Sequence, residues 1–320
     1  MLIYAGDSLL DTGNLLEVTS LGKRFAEALG IPVSDFSVSN APEEEIDLYF
    51  TELFSGVFPG VNLDNSDYTD ELVNFSVSAA TTGSFGSSRV TLPNGTNLSA
   101  LPVGLLSQAD YLLTSFQFNP GFQNSYNGSD LFLSGGGNDI FGFLDRDATD
   151  AQLLNPEILS ALLSPNAVDD KQLIDSITGT VVGNLKSVVD KVSAWVDDIA
   201  ILGPPKVAET PFLLGVAEAL NSQSRGLGNQ YTMFVNKVST SINEQLRKDF
   251  KGGYKGKDIL VIDGERLFGT VITQKYTKFS SIASYQQAYF QDPVHPNDAS
   301  SILGAAYLAD LTTNYFGEFG

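Results

Sequence analysis

His295 is the only histidine in the chain, so any chemistry that needs an imidazole near neutral pH must use it. It lies in "QDPVHPND", with Asp292 three residues before it. A carboxylate at that spacing across a tight turn can reach the ring, fix its tautomer and leave the other nitrogen free to act as a base. Pro293 fixes the turn, and Pro296 biases His295 toward an extended backbone. The same residues also suit an ordinary surface histidine in a loop before a helix, with Asp298 as the cap.

Ser8 stands in "GDSLLDTGN" (6–14), directly after the apolar "LIYA". Serine with an acid three residues on fits a helix cap, and Asp7 and Asp11 suit the positive end of a helix dipole. A serine at a strand-to-helix junction is equally placed where amide donors steady a developing oxyanion. To be a nucleophile it needs a base, and His295 is the one candidate. Asn138 follows three glycines in "SGGGNDIF" (134–141). Glycines allow a tight turn and close approach of a substrate, and the asparagine amide can donate to an oxyanion. A dinucleotide fingerprint is not met, because Ile140 stands where a third small residue belongs. The chain has no G-x-S-x-G, P-loop or H-E-x-x-H, and the acidic loop 62–71 lacks the glycine of a calcium hand. No cofactor or metal is expected.

These residues need elements to bring them together. Five apolar runs read as buried strands: "LIYAG" (2–6), "LVNFSV" (72–77), "DLFLSG" (130–135), "DIAILG" (198–203) and "DILVIDG" (258–264). They are continuous rather than alternating, as expected where both faces of a sheet are covered. Helical stretches lie between them at 21–30, 103–116, 181–196 and 230–250, and a last one at 298–316. Such alternation predicts a parallel sheet with helices on both sides. Ligands in such sheets bind at the carboxyl ends of the strands, which is where the three unusual segments fall.

Composition sets the outer bounds. A chain of 320 residues with 42% hydrophobic content can bury a large core, and no linker, charge block or repeat divides it, so 1–320 reads as one domain. The formal charge of −20 argues against nucleic acid and polyanionic substrates and favours a neutral one. No run of 18 apolar residues is present, so no spanning helix is expected. Cysteine is absent, which removes disulfides and thiolate chemistry. The chain opens directly in a strand; this suits a cytosolic protein or, the favoured expectation, a secreted domain with its leader removed. Asn-x-Ser/Thr at Asn74, Asn94, Asn97 and Asn127 is at the frequency chance supplies in a chain so rich in Asn, Ser and Thr.

"YAGDSLLDTGN", "VNFSVSAATTG", "LSGGGNDIF" and "DPVHPND", in that order and spacing, resemble the four sequence blocks of the GDSL (SGNH) esterase/lipase family. The resemblance spans essentially the whole chain. It implies a three-layer α/β/α sandwich, flavodoxin-like, with a five-stranded parallel sheet in the order 2-1-3-4-5. It also implies Ser8 as nucleophile, His295 as general base and acid, and Asp292 as the residue orienting the imidazole. The oxyanion hole it implies is the amide of Ser8, the amide of Ala79 and the side chain of Asn138. The second block departs from the family, reading "SAA" (78–80) where glycines are usual; an alanine N–H donates as well unless a positive φ is required.

The activity implied is ester hydrolysis through an acyl-enzyme on Ser8. Phe212 and Leu213 in "AETPFLLGVAEAL" (208–220), with Phe141 beside Asn138, lean toward medium or long acyl chains. The 208–220 segment suits either a flap or acyl pocket wall or a plain amphipathic helix packed on the sheet. The partner expected is a neutral ester or lipid-like small molecule, and the protein is expected to be a monomer. An acyltransferase with the same triad and a catalytically idle binding or surface protein are the alternatives.

Overall fold

The computed structural model describes residues 1–7, 72–77, 80–87, 97–144, 158, 160, 162, 167–317 and 319. Ser8, Ala79, the 21–30 helical stretch and the 62–71 loop lie outside them. The first strand, β1 (Leu2–Ala5), is buried along its whole length. It pairs in parallel with β2 (Leu72–Asn74) on one side, Leu2 opposite Leu72. After β2 come α1 (Leu105–Phe118) and α2 (Pro120–Tyr126), then β3 (Ser129–Ser134). α3 (Gly137–Leu144) and α4 (Ala167–Val192) lead to β4 (Val196–Leu202). α5 (Pro211–Gln223) and α6 (Leu227–Asp249) precede β5 (Ile259–Ile262). The chain then runs through α7 (Gly264–Val271), α8 (Ile282–Tyr289) and α9 (Asp298–Phe316).

All strand pairs are parallel, and the five-stranded sheet runs β2-β1-β3-β4-β5. The two-residue period of the strands sends alternate side chains to opposite faces. Ile3, Ala5, Leu131, Leu133, Ile199 and Ile201 enter one core, which α1, α4 and α6 complete with residues such as Leu112, Leu185 and Val235. Leu2, Tyr4, Phe132, Ala200, Leu202 and Ile262 enter the other, covered by Leu267, Tyr285 and Leu308 of α7, α8 and α9. Burial on both faces is the reason the strand sequences show apolar runs without alternation. Among the described residues no helix is long and apolar enough to cross a membrane.

Boundaries differ from the sequence expectation where a turn intervenes. The helix expected at 181–196 begins at Ala167 and ends at Val192, and a turn releases Val196 into β4. Trp195 in that turn stacks on Phe116 with ring centroids 5.3 Å apart, so an aromatic anchor, not helix continuation, claims it. The cap of α9 is Asn297, whose side chain accepts from the amide of Ser300, while Asp298 occupies the first turn. Asparagine and aspartate cap comparably, so position alone decides between neighbours.

Candidate active site

The carboxyl ends of the strands form one rim, and buried polar side chains tie its loops together. At the end of β1, Gly6 donates its N–H to Gln108 Oε1 and accepts from Gln108 Nε2, both at 2.8 Å. This buried glutamine on α1 satisfies the Gly6 amide and shares its carbonyl with the amide of Val77 at the end of the strand. Asp7 follows, 4% exposed, and accepts a hydrogen bond from Ser134 Oγ at the end of β3. On the far side, Asn243 of α6 donates to the carbonyl of Pro204 and accepts from the amide of Gly264, joining the ends of β4 and β5.

The glycines after β3 have separate tasks. Gly136 adopts φ +104°, which only glycine takes without strain. A Cβ on Gly135 would stand 3.0 Å from Thr82 Cγ2, so its bare backbone lets the loop after β2 come close. α3 starts at Gly137 and presents Asn138 and Asp139 in its first turn. Asn138 Nδ2 donates to the carbonyl of Ala80 at 3.1 Å. A primary amide has two N–H donors, so this bond orients the group and leaves a second donor at the pocket it lines. Asp139 accepts from both the amide and the hydroxyl of Thr82, at 2.9 and 2.6 Å. Burial pushes the Asp139 carboxyl up to about 6; the two Thr82 bonds pull it down and the nearby Asp7 charge adds to the rise.

The loop between α8 and α9 carries the histidine. Asp292 Oδ1 accepts from the amides of Val294 and His295, each at 2.7 Å, and Oδ2 lies 2.6 Å from His295 Nδ1. One carboxylate thus fixes both the turn and the ring. With a carboxylate on Nδ1, that nitrogen carries the proton and Nε2 is the basic one. Burial works to raise the Asp292 carboxyl, but the bond to the His295 ring, its charge and the two amides outweigh it and hold Asp292 below the usual carboxylate range. The loop itself is pinned by the amide of Phe212, at the start of α5, donating to the carbonyl of Pro293 at 2.9 Å.

Asp7, Asn138 and His295 line one pocket of about 90 Å³. Its apolar wall is Phe141, Leu267, Phe268, Val271 and Phe290. Phe141, three residues after Asn138, is thus part of the pocket wall. Phe212 packs edge-to-face on Phe141, ring centroids 6.1 Å apart, and braces the wall. Leu213 points inward instead: it is 2% exposed, in the core under α5, and not among the described residues of the pocket wall. α5 buries Leu213, Ala217 and Leu220, the packing of a plain amphipathic helix. Sequence reading passed over Leu267, Phe268 and Val271 of α7. Their signal is the apolar spacing i, i+1, i+4 in "ERLFGTV", directly after the capping Asp263.

No protein-family model and no curated protein matches the chain. Among solved structures it is similar to a catalytic mutant of an acetylxylan esterase from Geobacillus stearothermophilus, with 13% identity over 100% of this chain and 94% of that one and a TM-score of 0.38. It is also similar to a lipase from a goat rumen metagenome, with 12% identity over 98% and 97% of the two chains and a TM-score of 0.39. A Bacillus subtilis protein is similar at 13% identity, over 99% of this chain and 56% of that one, with a TM-score of 0.40.

Proposed function

We propose that this protein hydrolyses carboxylic esters with a medium acyl chain, through an acyl-enzyme on Ser8. The observation that carries the reading is the meeting of Asp7, Asn138 and an Asp292-held His295 around one apolar pocket. Asp7 is the residue before Ser8 in the chain, so the serine follows directly on a residue of the pocket wall.

In this mechanism His295 Nε2 takes the proton of the Ser8 hydroxyl as its oxygen bonds the ester carbonyl carbon. The carbonyl oxygen becomes an oxyanion and accepts from Asn138, with the amides of Ser8 and Ala79 as the further donors. Asp292 stabilises the imidazolium that forms. His295 Nε2–H then protonates the departing alcohol as the carbon–oxygen bond breaks. Water, giving a proton to the same nitrogen, attacks the acyl carbon; as the bond from Ser8 Oγ to that carbon breaks, His295 Nε2–H returns the proton to Oγ, and the acid and free Ser8 are released. Only neutral His295 is a base, so the rate falls on acidification as the ring takes up a proton. The apolar wall favours a longer acyl chain over acetyl, because each buried methylene contributes about 0.8 kcal/mol.

Hydrolysis of p-nitrophenyl esters from acetate to palmitate, beside a Ser8→Ala control, tests the proposal. Activity that peaks at intermediate chain length and disappears in the control is the expected result. Activity that survives Ser8→Ala, or none at any length in folded protein, would sink it.

A further inference from the structure

We infer that Asp139 is a positioning residue of this site, clamping the loop after β2 to the first turn of α3 so that Asn138 faces the pocket. The inference rests on the esterase reading. Two neighbouring side chains at the start of α3 grip the same loop: Asn138 holds the carbonyl of Ala80, and Asp139 takes both the N–H and the O–H of Thr82. Thr82 is fully buried, and its hydroxyl also accepts from Asn184 Nδ2 of α4 at 3.1 Å. The loop is thereby tied to two helices through one threonine. The missing Cβ of Gly135 allows this approach. An amide oriented by its bond to Ala80 keeps its aim only while Ala80 stays put, and the Thr82 clamp stands two residues beyond it.

A carboxylate is a costly way to hold a threonine if holding were all that mattered. Asp139 sits in a desolvated place with Asp7 as its charged neighbour. A neutral side chain of the same shape removes that charge penalty but weakens the grip, since an amide offers one acceptor oxygen where a carboxylate offers two.

The test uses the full chain with Asp139→Asn, Thr82→Val, Thr82→Ser and the Asp139→Asn/Thr82→Val double variant. Asp139→Asn and Thr82→Val should each lower kcat about 10- to 100-fold, short of the 10²–10³-fold loss from removing an oxyanion donor itself. KM should stay within about twofold, because ground-state binding is not the target. Asp139→Asn should melt no lower than the parent at pH 7.5, and Thr82→Ser should restore the rate. The double variant should lose no more than either single change, as expected for two halves of one clamp. An unchanged kcat in Asp139→Asn, a loss that tracks a fall in Tm, or additive losses would overturn the role. If Asp139→Asn does not fold, the Thr82→Val and Thr82→Ser pair decides by the same criteria. Hydrogen exchange at the Thr82 amide reads the clamp without any substrate: fast exchange in the parent overturns the inference alone, whereas slow exchange in a parent with no esterase activity overturns the functional reading, and the positioning role with it.

Discussion

At the scale of single residues, Asp292 does two things with one carboxylate, and they separate experimentally. Asp292→Asn leaves the ring without the partner that sets its tautomer, and kcat should fall by about 10⁴, the loss seen when such a carboxylate is replaced in a serine triad. The folded pKa of Asp292 is depressed, so its stabilising contribution is complete above the unfolded value of about 3.9 and is lost as pH falls through the lower folded value. Thermal unfolding of parent and Asp292→Asn should therefore differ at pH 7, and the difference should begin to shrink only as pH falls below about 4. Asp139 has the opposite sign. Its folded pKa of about 6 lies above the unfolded one, so between about pH 4 and 6 the folded state binds more protons. Stability should fall as pH rises through that window and stay lower above it, by on the order of 1–3 kcal/mol. Asp139→Asn should flatten that slope in denaturant titrations at stepped pH.

At the scale of elements, α7 supplies Leu267, Phe268 and Val271 to the pocket wall, and under the proposed esterase function it sets which acyl chain fits. It is eight residues long, capped by Asp263, and turns Leu267 and Val271 inward beside the partly exposed Phe268. Its start is fixed by close contact: a Cβ on Gly264 would stand 2.1 Å from the carbonyl oxygen of Gly203. Any side chain at 264 would push the helix away, so the glycine lets α7 sit close and its side chains form the far wall. Phe268→Ala should move the preferred ester toward longer chains, and Val271→Phe should depress medium chains while sparing acetate. Each methylene admitted or refused is worth about 0.8 kcal/mol, roughly fourfold in kcat/KM. A chain-length profile unchanged in both variants would place the acyl group elsewhere.

At the scale of the whole molecule, charge is the dominant feature. With 38 acidic and 18 basic residues the chain carries −20, and the folded state repels itself. Raising ionic strength from about 0.01 to 0.15 M shortens the screening length from about 30 to 8 Å. The Tm should rise across that interval, and scanning calorimetry at fixed pH reads it. A Tm that falls with salt would mean that attractive pairs such as Arg247–Asp263 and Lys255–Asp190 outweigh the repulsion.

Much of this was legible in the chain itself. Runs such as "LIYA" and "DIAILG" identify doubly covered strands because burial on both faces favours consecutive apolar residues over alternation, and that pattern is local. The pairing of Asp292 with His295 was legible for the same reason: three residues across a proline turn leave the carboxylate little choice. Contacts between distant segments were not. Gln108 closes the backbone of Gly6 across 102 positions, and Asp139 reaches Thr82 across 57; neither partner carries any local sign of the other. Leu213 and Phe212 are adjacent apolar residues, yet the rotation of α5 sends one into the core and sets the other against Phe141. Residue type and near spacing thus determined the sheet, the rim and the Asp292–His295 pair, because they rest on local burial and short loops. The pocket wall and the clamp around Asn138 were decided by how whole helices dock, which only the packed tertiary structure settles.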